Sequence, residues 1–293
     1  MRRRISSRTS TFTYHLLTIP AVLLSASVVF IPAIVTFYAA FTEWNGMSTM
    51  KWVGLENFTT LFTDRIFWKS LGNNFIWTMI FITIPIAIGL ISAVLLVKCK
   101  KTRNLFQVSY LIPYILAPTT NAVIWLNIIF SPTGGIIGYL NKLGMNITSP
   151  LGNMKTALGG VAAVDIWHYW GFLTIVYLAA LRQTPKDQVE VAMIEGATGW
   201  QTFRHVYFPN ILPTFSLMFA TVIIYSFKTF DYVYLLTSGG PAHASEMLST
   251  YAYTLAFSTF QFGKAAAVSL VMGLFGGIAA FFYTWFSRKD VAQ

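Results

Sequence analysis

The sequence is poor in charged residues. Asp, Glu, Lys and Arg make up only 10% of its 293 residues, compared with roughly 25% in soluble globular domains. Hydrophobic residues make up 55%. A soluble protein of this composition could not cover its surface with polar groups, so most of the surface must face lipid. The composition therefore excludes an ordinary soluble domain.

Residues that commonly carry chemistry are also scarce. The single cysteine, Cys99, excludes an internal disulfide. The four histidines show no metal-ligand spacing, and no serine lies in a Gly-x-Ser-x-Gly elbow. The phosphate loop of ATPases is missing too, because the best match, Gly263-Lys264, has Ser258 and Ala265 at two required positions. We expect no catalytic residue, metal or cofactor in this chain, and no enzyme activity.

Long apolar runs, by contrast, are abundant. Six of them exceed the roughly 20 residues that a helix needs to cross a bilayer. Because backbone N–H and C=O groups must pair within the chain inside lipid, these runs must be helical. We predict an all-α polytopic membrane protein with six transmembrane helices, at about Leu16–Phe41, Leu71–Val97, Leu105–Phe130, Leu158–Leu181, Pro213–Leu236 and Ala265–Phe286.

The first apolar run follows Met1 and three arginines, as in a signal peptide. A signal peptide has an apolar region of only about 7–15 residues, and this run is longer, so we expect a retained first helix. The chain then divides into a tail (1–13), a transmembrane domain (14–286) and a second tail (287–293).

Lysine and arginine predict the orientation. Thirteen of the 20 lie in the tails or in the connections after the second and fourth runs. The positive-inside rule places that side, with both termini, in the cytoplasm. The net charge of +10 then reflects topology and contact with anionic lipid rather than a nucleic-acid site.

The longest cytoplasmic connection, residues 182–212, has a helical pattern. Thr184 is predicted to cap a helix with Pro185 at its first position. Apolar or small residues at helical spacing form one face of it: Val189, Ala192, Met193 and Gly196. Gly196 and Gly199 are predicted to end or bend it. A second amphipathic helix is predicted to begin at Trp200 and to stop at Pro209. The pattern alone leaves open whether this segment lies on lipid or docks a cytoplasmic partner.

This connection resembles the Glu-Ala-Ala motif in the permease subunits of binding-protein-dependent ABC importers. The matching residues are Glu190, Val191, Ala192, Glu195, Gly196, Ala197, Pro209, Leu212 and Pro213. Val191 departs from the alanine usual in that family. External segments, Gly54–Phe58 and Leu236–Pro241, are similar to the carbohydrate-importing branch, of the maltodextrin or glycerol-phosphate type. The resemblance covers nearly the whole chain from about Pro20.

The resemblance implies a type I ABC importer permease fold in the bacterial plasma (inner) membrane. It also implies a second permease subunit, an extracytoplasmic sugar-binding protein, and two ATPase subunits that use ATP and Mg. The connection would then be a coupling loop that seats in the ATPase. Glu190 would make a polar contact there and Gly196 would permit the bend. The residues assigned to coupling are Glu190, Ala192, Glu195, Gly196, Ala197 and Gly199.

Three charges lie within the apolar runs, Asp165, Lys228 and Asp231, although burying one costs roughly 2.5–3.5 kcal/mol. One helical face carries Asp165, His168, Tyr169 and Phe172. An acid, an imidazole and two rings suit a sugar, whose hydroxyls need polar partners and whose apolar face packs on rings. Resemblance to the maltodextrin-type permeases adds Ser226 and Thr229 to this predicted substrate path. The relative has a carboxamide at the position of Asp165, so its ligand specificity does not carry over.

Alternatives stay open for these residues. Asp165 could make a structural hydrogen bond or an ion pair with Lys228. His168 could be a packed histidine, and Lys228 could pair with Asp231 one turn away. The chain as a whole could be an ion-coupled secondary sugar transporter, although no inverted repeat or ion site is evident. It could also be a membrane enzyme with Asp165 and His168 as acid and base, but no third orienting group is found.

Overall fold

A computed structural model describes residues 7–99 and 101–291. Lys100 and the outermost residues of both predicted tails, 1–6 and 292–293, lie outside the described residues. The described chain forms one two-stranded hairpin, β1 (Thr42–Glu43) and β2 (Lys51–Trp52), together with thirteen α-helices. The helices are α1 (Ser7–Ala39), α2 (Glu56–Thr63), α3 (Arg65–Lys98), α4 (Arg103–Ile115), α5 (Pro118–Ile124), α6 (Ile136–Lys142), α7 (Ala157–Leu181), α8 (Lys186–Ile194), α9 (Gly199–Thr202), α10 (Phe208–Lys228), α11 (Asp231–Thr237), α12 (Leu248–Tyr253) and α13 (Phe262–Val291).

The third predicted span is bent rather than straight. Five spans are long, apolar helical stretches, and the sixth is the pair formed by α4 and the segment Pro118–Ile129, which meet at 96°. The six-span prediction is therefore confirmed, but a single helix over Leu105–Phe130 was wrong. Ala117 is extended (φ −59°, ψ 142°), as is usual before a proline. Pro118 then begins α5, where its missing N–H costs nothing.

The predicted stop at Pro209 was also wrong. The chain is helical from Gly199 to Lys228 through a π-helical turn, Phe203–Tyr207. In this turn the N–H of Phe208 donates to the carbonyl of Phe203. The wider turn ends just before Pro209, which needs no acceptor, so the helix adjusts and continues. The actual break comes later, at Thr229 and Phe230, between α10 and α11.

Helix α7 is the centre of the bundle and α1 is its periphery. Of the most apolar window in each span, 61% is buried in α7 and 0% in α1. Two glycines allow close approach at the centre. A Cβ atom on Gly89 of α3 would lie 2.9 Å from Cβ of Leu173, and a Cβ atom on Gly171 of α7 would overlap the carbonyl oxygen of Tyr110 in α4. The close contacts of α7 with α3 and α4 therefore require glycine, which has no side chain, at positions 89 and 171.

A second apolar cluster joins the end of α1 to α2, α12 and α13. The side-chain amide of Asn57 donates to the carbonyls of Ala40 (3.0 Å) and Thr42 (2.9 Å), which fixes α2 to the hairpin. Asp64 caps α3 by accepting from the N–H of Ile66 (2.7 Å) and also accepts from the hydroxyl of Tyr251. Burial and the hydrogen bond to Asp64 raise the pKa of Tyr251. This cluster forms a peripheral unit beside the α7 core.

We predict that Gly171→Ala destabilises the protein. The added methyl group overlaps a backbone oxygen that cannot rotate away, so α4 and α7 must separate, at a cost of about 1–3 kcal/mol. Thermal unfolding of the purified protein in detergent, followed by size-exclusion chromatography, measures the effect.

The matched control is Gly159→Ala in the same helix, where no atom lies within 4 Å of the new Cβ. It should be neutral or slightly stabilising, because alanine favours helices by up to about 1 kcal/mol over glycine. Equal melting temperatures for the two variants would contradict the close α4–α7 contact.

Candidate functional site

The break between α4 and α5 leaves the Pro113 carbonyl without its helical partner, because Ala117 has left the helix. Two side chains replace the missing N–H. The Asn121 side-chain amide lies 3.0 Å from this oxygen and Nδ1 of His168 lies 2.9 Å from it. Asn121 has two amide hydrogens and gives the other to the hydroxyl of Tyr232 (2.9 Å). These bonds are all satisfied when His168 carries its proton on Nδ1.

At the break between α10 and α11, side chains likewise pair with the freed backbone carbonyls. The side-chain amide of Asn74 donates to the Ser226 carbonyl (3.1 Å), and the hydroxyl of Ser249 donates to the Thr229 carbonyl. The hydroxyl of Thr229 turns back to the Tyr225 carbonyl (3.2 Å). Because Tyr232 lies in the first turn of α11, its bond with Asn121 connects the two breaks to each other. We call Asn121, His168 and Tyr232 the junction.

Asp165 lies one turn of α7 away from the junction and is fully buried. One carboxylate oxygen accepts a hydrogen bond from the hydroxyl of Tyr225 on α10 (2.9 Å). The other oxygen has no partner among the described residues. An unpartnered buried oxygen is costly, so Asp165 combines a structural contact between α7 and α10 with an unused acceptor.

Aromatic rings surround this acid. Tyr169 stacks on Tyr225 (centroids 4.8 Å apart), and Phe81 contacts both rings. On the adjoining side, Tyr114 of α4 stacks on Phe172 (4.8 Å) and also contacts His168 and Tyr169. The structure thus brings together all four residues predicted on the α7 face, in an aromatic-lined interior where Asp165 is fully buried and Tyr114 is 37% exposed.

The two predicted residues of the fifth span are placed elsewhere. Ser226 bonds within its own helix, through its hydroxyl to the Val222 carbonyl (2.8 Å), and faces Asn74 of α3. Thr229 lies at the break and contacts Ser249. The side chain of α10 that reaches Asp165 is Tyr225. Ser226 and Thr229 therefore support the helix break rather than line the Asp165 interior.

The proposed ion pairs of Lys228 are absent from the described part of the chain. Lys228 is exposed at the end of α10 and pairs with neither Asp165 nor Asp231. The helix breaks directly after Lys228, so Asp231 starts a new helix and the one-turn spacing is lost. Of the structural alternatives for Asp165, the hydrogen bond is present, with Tyr225 as its donor. In this conformation His168 matches the alternative of a packed histidine, since its Nδ1 has a hydrogen-bond partner in the Pro113 carbonyl.

The predicted coupling segment forms α8 and α9. Helix α8 ends in a Schellman motif: Gly196 has φ +76°, its N–H donates to the Met193 carbonyl (3.1 Å), and that of Ala197 to the Ala192 carbonyl (2.9 Å). Thr198 then starts α9 with a capping box that includes Gln201. The predicted end of the helix at Gly196 is confirmed.

Two details of the prediction for this segment were wrong. Pro185, not Thr184, is the residue before the first turn, and no side chain caps it. The hydroxyl of Thr184 is buried and has no hydrogen-bond partner in the described part of the chain. The predicted apolar face is also incomplete, because Ala192 is buried but Met193 is 65% exposed. Between α8–α9 and the ends of α3 and α7 lies a cavity of about 220 Å³, so α8 is only partly packed on the bundle.

The outward surface of α8 is apolar and acidic. Val191 and Ile194 are largely exposed, and Glu190 and Glu195 lie beside them. Alternation of the six spans puts this surface on the same side of the membrane as both ends of the described chain. Among the predicted coupling residues, Glu190, Glu195, Gly196 and Gly199 are exposed, Ala197 is half-buried and Ala192 faces the bundle.

Four residues of this site were not predicted from the sequence: Asn74, Asn121, Tyr225 and Tyr232. Asn74 and Asn121 carry amide side chains inside apolar runs. Such polar residues indicate that a nearby backbone N–H or C=O group needs a hydrogen-bond partner. Pro118 was a signal for Asn121, because Ala117, the extended residue before this proline, cannot give its N–H to the Pro113 carbonyl four residues earlier. No group of three or more potential metal ligands is found in the described residues.

Helices long and apolar enough to span a membrane define the chain as a polytopic α-helical membrane protein. Over residues 86–289 the sequence matches the family described as "Binding-protein-dependent transport system inner membrane component". The match covers more than half of the chain, and the protein belongs to this family.

Individual relatives agree in length and fold. The chain is 31% identical to a probable ABC transporter permease of Pyrococcus horikoshii over 280 residues, covering 92% of this chain and 94% of the relative. It is 30% identical to a probable starch degradation products transport system permease of Thermoanaerobacterium thermosulfurigenes, covering 94% of each. A bacterial alginate ABC transporter, solved with an alginate pentasaccharide-bound periplasmic protein, has the same fold (TM-score 0.85, 20% identity, 99% and 98% covered).

We predict that Tyr225→Phe destabilises the α7–α10 contact. The change leaves both oxygens of Asp165 unpartnered, which should cost about 1–3 kcal/mol. The melting temperature of the purified protein measures the loss.

Tyr114→Phe is the matched control, because the Tyr114 ring packs on the same face but its hydroxyl makes no hydrogen bond within the described chain. A second change, Asp165→Leu, should recover part of the loss, and strictly additive effects would contradict a direct bond.

Proposed function

We propose that this chain is the permease subunit of an ATP-driven importer that carries a sugar or oligosaccharide across the bacterial inner membrane. It would work with a second permease, two ATPase subunits and an extracytoplasmic sugar-binding protein. The ATP and Mg would be used by the ATPase subunits, and this chain would perform no covalent chemistry. The transmembrane domain is assigned to 14–286, with cytoplasmic tails 1–13 and 287–293 and the coupling loop 182–212.

The observation that carries this proposal is the exposed surface of α8. In water, Ile194 (85% exposed), Val191 (52%) and the nearby Trp200 (66%) form an apolar patch that costs free energy unless a partner covers it. Glu190 and Glu195 flank the patch and give it polar specificity. A cleft in an ATPase subunit fits a short helix of this kind, and the family match favours that partner over a self-sufficient ion-coupled transporter.

A second permease is supported by α1. The most apolar 18-residue window within Thr18–Ala39 of α1 has no residue buried against its own chain. Helix α1 joins the bundle near its end, at the buried Ala39. Such a helix is available to pack on another subunit within the membrane. Pairing of two permeases would also place a path between them, where a substrate can pass without unfolding either bundle.

A sugar is the substrate class that the site chemistry supports. Transport of starch degradation products is named for one relative, and alginate for a structural neighbour. Asp165 offers an unused carboxylate oxygen, and Tyr169, Phe172 and Tyr114 offer ring faces. Because Asp165 is fully buried here, a sugar would reach it only when α7 and α10 separate during alternating access.

We assign the substrate path to Asp165, His168, Tyr169 and Phe172. Ser226 and Thr229, the other two residues predicted for this path, support the α10 break beside it: Ser226 directly follows Tyr225 and Thr229 lies one helical turn after it. Coupling is assigned to Glu190, Ala192, Glu195, Gly196, Ala197 and Gly199. In this arrangement Gly196 provides the left-handed residue that ends α8, and Ala192 anchors α8 to the bundle.

Glu190→Lys should abolish sugar uptake while leaving membrane insertion intact. Reversing a charge at the ATPase contact should lower transport by roughly 30-fold or more, as when an interface charge pair is broken. Uptake and ATPase activity are measured in liposomes containing the complete assembly. Glu56→Lys, an exposed acid at the start of α2, is the control and should transport normally. Normal uptake by the Glu190 variant would remove the docking assignment.

Asp165→Ala should change the apparent affinity for sugar or the ratio of ATP hydrolysed to sugar moved. The reason is loss of both the Tyr225 contact and the unused acceptor. Tyr225→Phe serves as the comparison, because it breaks the same contact but keeps the carboxylate. If both variants melt earlier yet transport with unchanged kinetics, Asp165 has a structural role alone.

A further inference from the structure

A polar cavity of about 660 Å³ lies far from the Asp165 interior, in the peripheral unit of the fold. Its walls come from the hairpin, from α2 and from the turn before α13. We call it the outer cup; it is lined by Glu43, Trp44, Asn45, Ser48, Thr49, Lys51, Asn57, Phe260, Gln261, Gly263 and Lys264.

The outer cup is built rigidly. The side chain of Asn45 accepts from the N–H groups of Met47 (3.0 Å) and Ser48 (2.8 Å), and the indole N–H of Trp44 donates to the Ser48 carbonyl (3.1 Å). Gly263 joins the opposite wall, since its N–H donates to the Trp44 carbonyl (3.2 Å). A Cβ atom on Gly263 would overlap the Thr42 carbonyl oxygen. Both walls are thus fixed before any ligand arrives.

The charges in the cup are not used within the described chain. Lys51 and Lys264 provide two ammonium groups and Glu43 one carboxylate, and none of the three forms an ion pair. Lys51 lies opposite Glu43 in the register of the hairpin, but their side chains form no ion pair in the described chain. The cup therefore carries an excess of positive charge, with amide groups from Asn45 and Gln261 beside it.

The rim of the cup is apolar. Met47 is 86% exposed at the tip of the hairpin and Phe260 is 53% exposed on the opposite wall. Phe260 also has φ +53°, a conformation that costs a non-glycine residue free energy and that persists where the surroundings require it. Methionine and aromatic residues are enriched in protein–protein interfaces.

We propose that the outer cup is a docking socket for an acidic segment of the extracytoplasmic binding protein. A carboxylate of the partner would lie between Lys51 and Lys264, while Met47 and Phe260 would cover its apolar surroundings. This inference rests on the proposed function, which places the hairpin and the start of α13 outside the cell. The socket is distinct from the sugar path, because it belongs to the peripheral unit and not to the α7 core.

The test uses the complete importer in liposomes, with its binding protein added at increasing concentration. The double variant Lys51→Glu, Lys264→Glu should raise the binding-protein concentration for half-maximal ATPase stimulation by roughly tenfold at low salt, through slower electrostatically steered association. The maximal rate should not change. The difference should shrink in about 1 M salt, where charges are screened beyond roughly 3 Å.

Lys155→Glu is the matched control, an exposed lysine before α7 that is outside the cup; it should stay within about twofold of the unmodified protein, as a distant screened charge does. One Asp→Lys or Glu→Lys change on the binding protein should restore stimulation of the double variant.

An unchanged half-maximal concentration, or a loss confined to the maximal rate, would overturn the socket. Binding of free sugar that is lost in the double variant would also overturn it, because the cup would then be a sugar site. If the unmodified assembly is not stimulated by a binding protein at all, the importer assignment itself fails and the socket fails with it.

Discussion

Pairing of every backbone N–H and C=O group inside lipid is the constraint on which this structure depends. Two spans are interrupted, at Ala117 and at Thr229, and each interruption releases backbone carbonyls from their helical partners. Asn121 and His168 satisfy one break, and Asn74 and Ser249 the other. Buried polar side chains in this bundle are explained first by this backbone need. Asp165 differs, since one of its buried oxygens has no partner among the described residues, a property that it shares with a few other buried polar groups, such as the hydroxyls of Tyr177 and Thr184.

The position of the second break also determines how the coupling surface on α8 is connected to the Asp165 interior. Immediately after α8, the chain forms one continuous helical stretch from Gly199 to Lys228. Near its far end lies Tyr225, which holds Asp165, and then comes the break at Thr229. A displacement of α8 by an ATPase would therefore act through a stiff element on the contact between α10 and α7. The partly packed base of α8, with its cavity of about 220 Å³, leaves room for that displacement.

The sequence predicted the elements whose cause is local. Six apolar runs, the helix after Pro185 and its end at Gly196 follow from composition, length and the conformational freedom of glycine. The four residues predicted on α7 also share neighbours, because helical spacing alone puts them on one face. What could not be predicted depends on non-local contacts. Tyr225 rather than Ser226 reaches Asp165 because of how α10 is rotated. At the bend of 96° between α4 and α5, one of the side chains that pair with the freed carbonyl, His168, comes from α7.

The central claim is that an ATPase grips α8, and hydrogen–deuterium exchange across residues 186–198 tests it most directly. The exposed helix should exchange quickly in the isolated permease and slowly when the ATPase subunits are bound, with the amides from Val191 to Ala197 among the most protected. Protection elsewhere on the same side of the membrane, with exchange in 186–198 unchanged, would contradict the account.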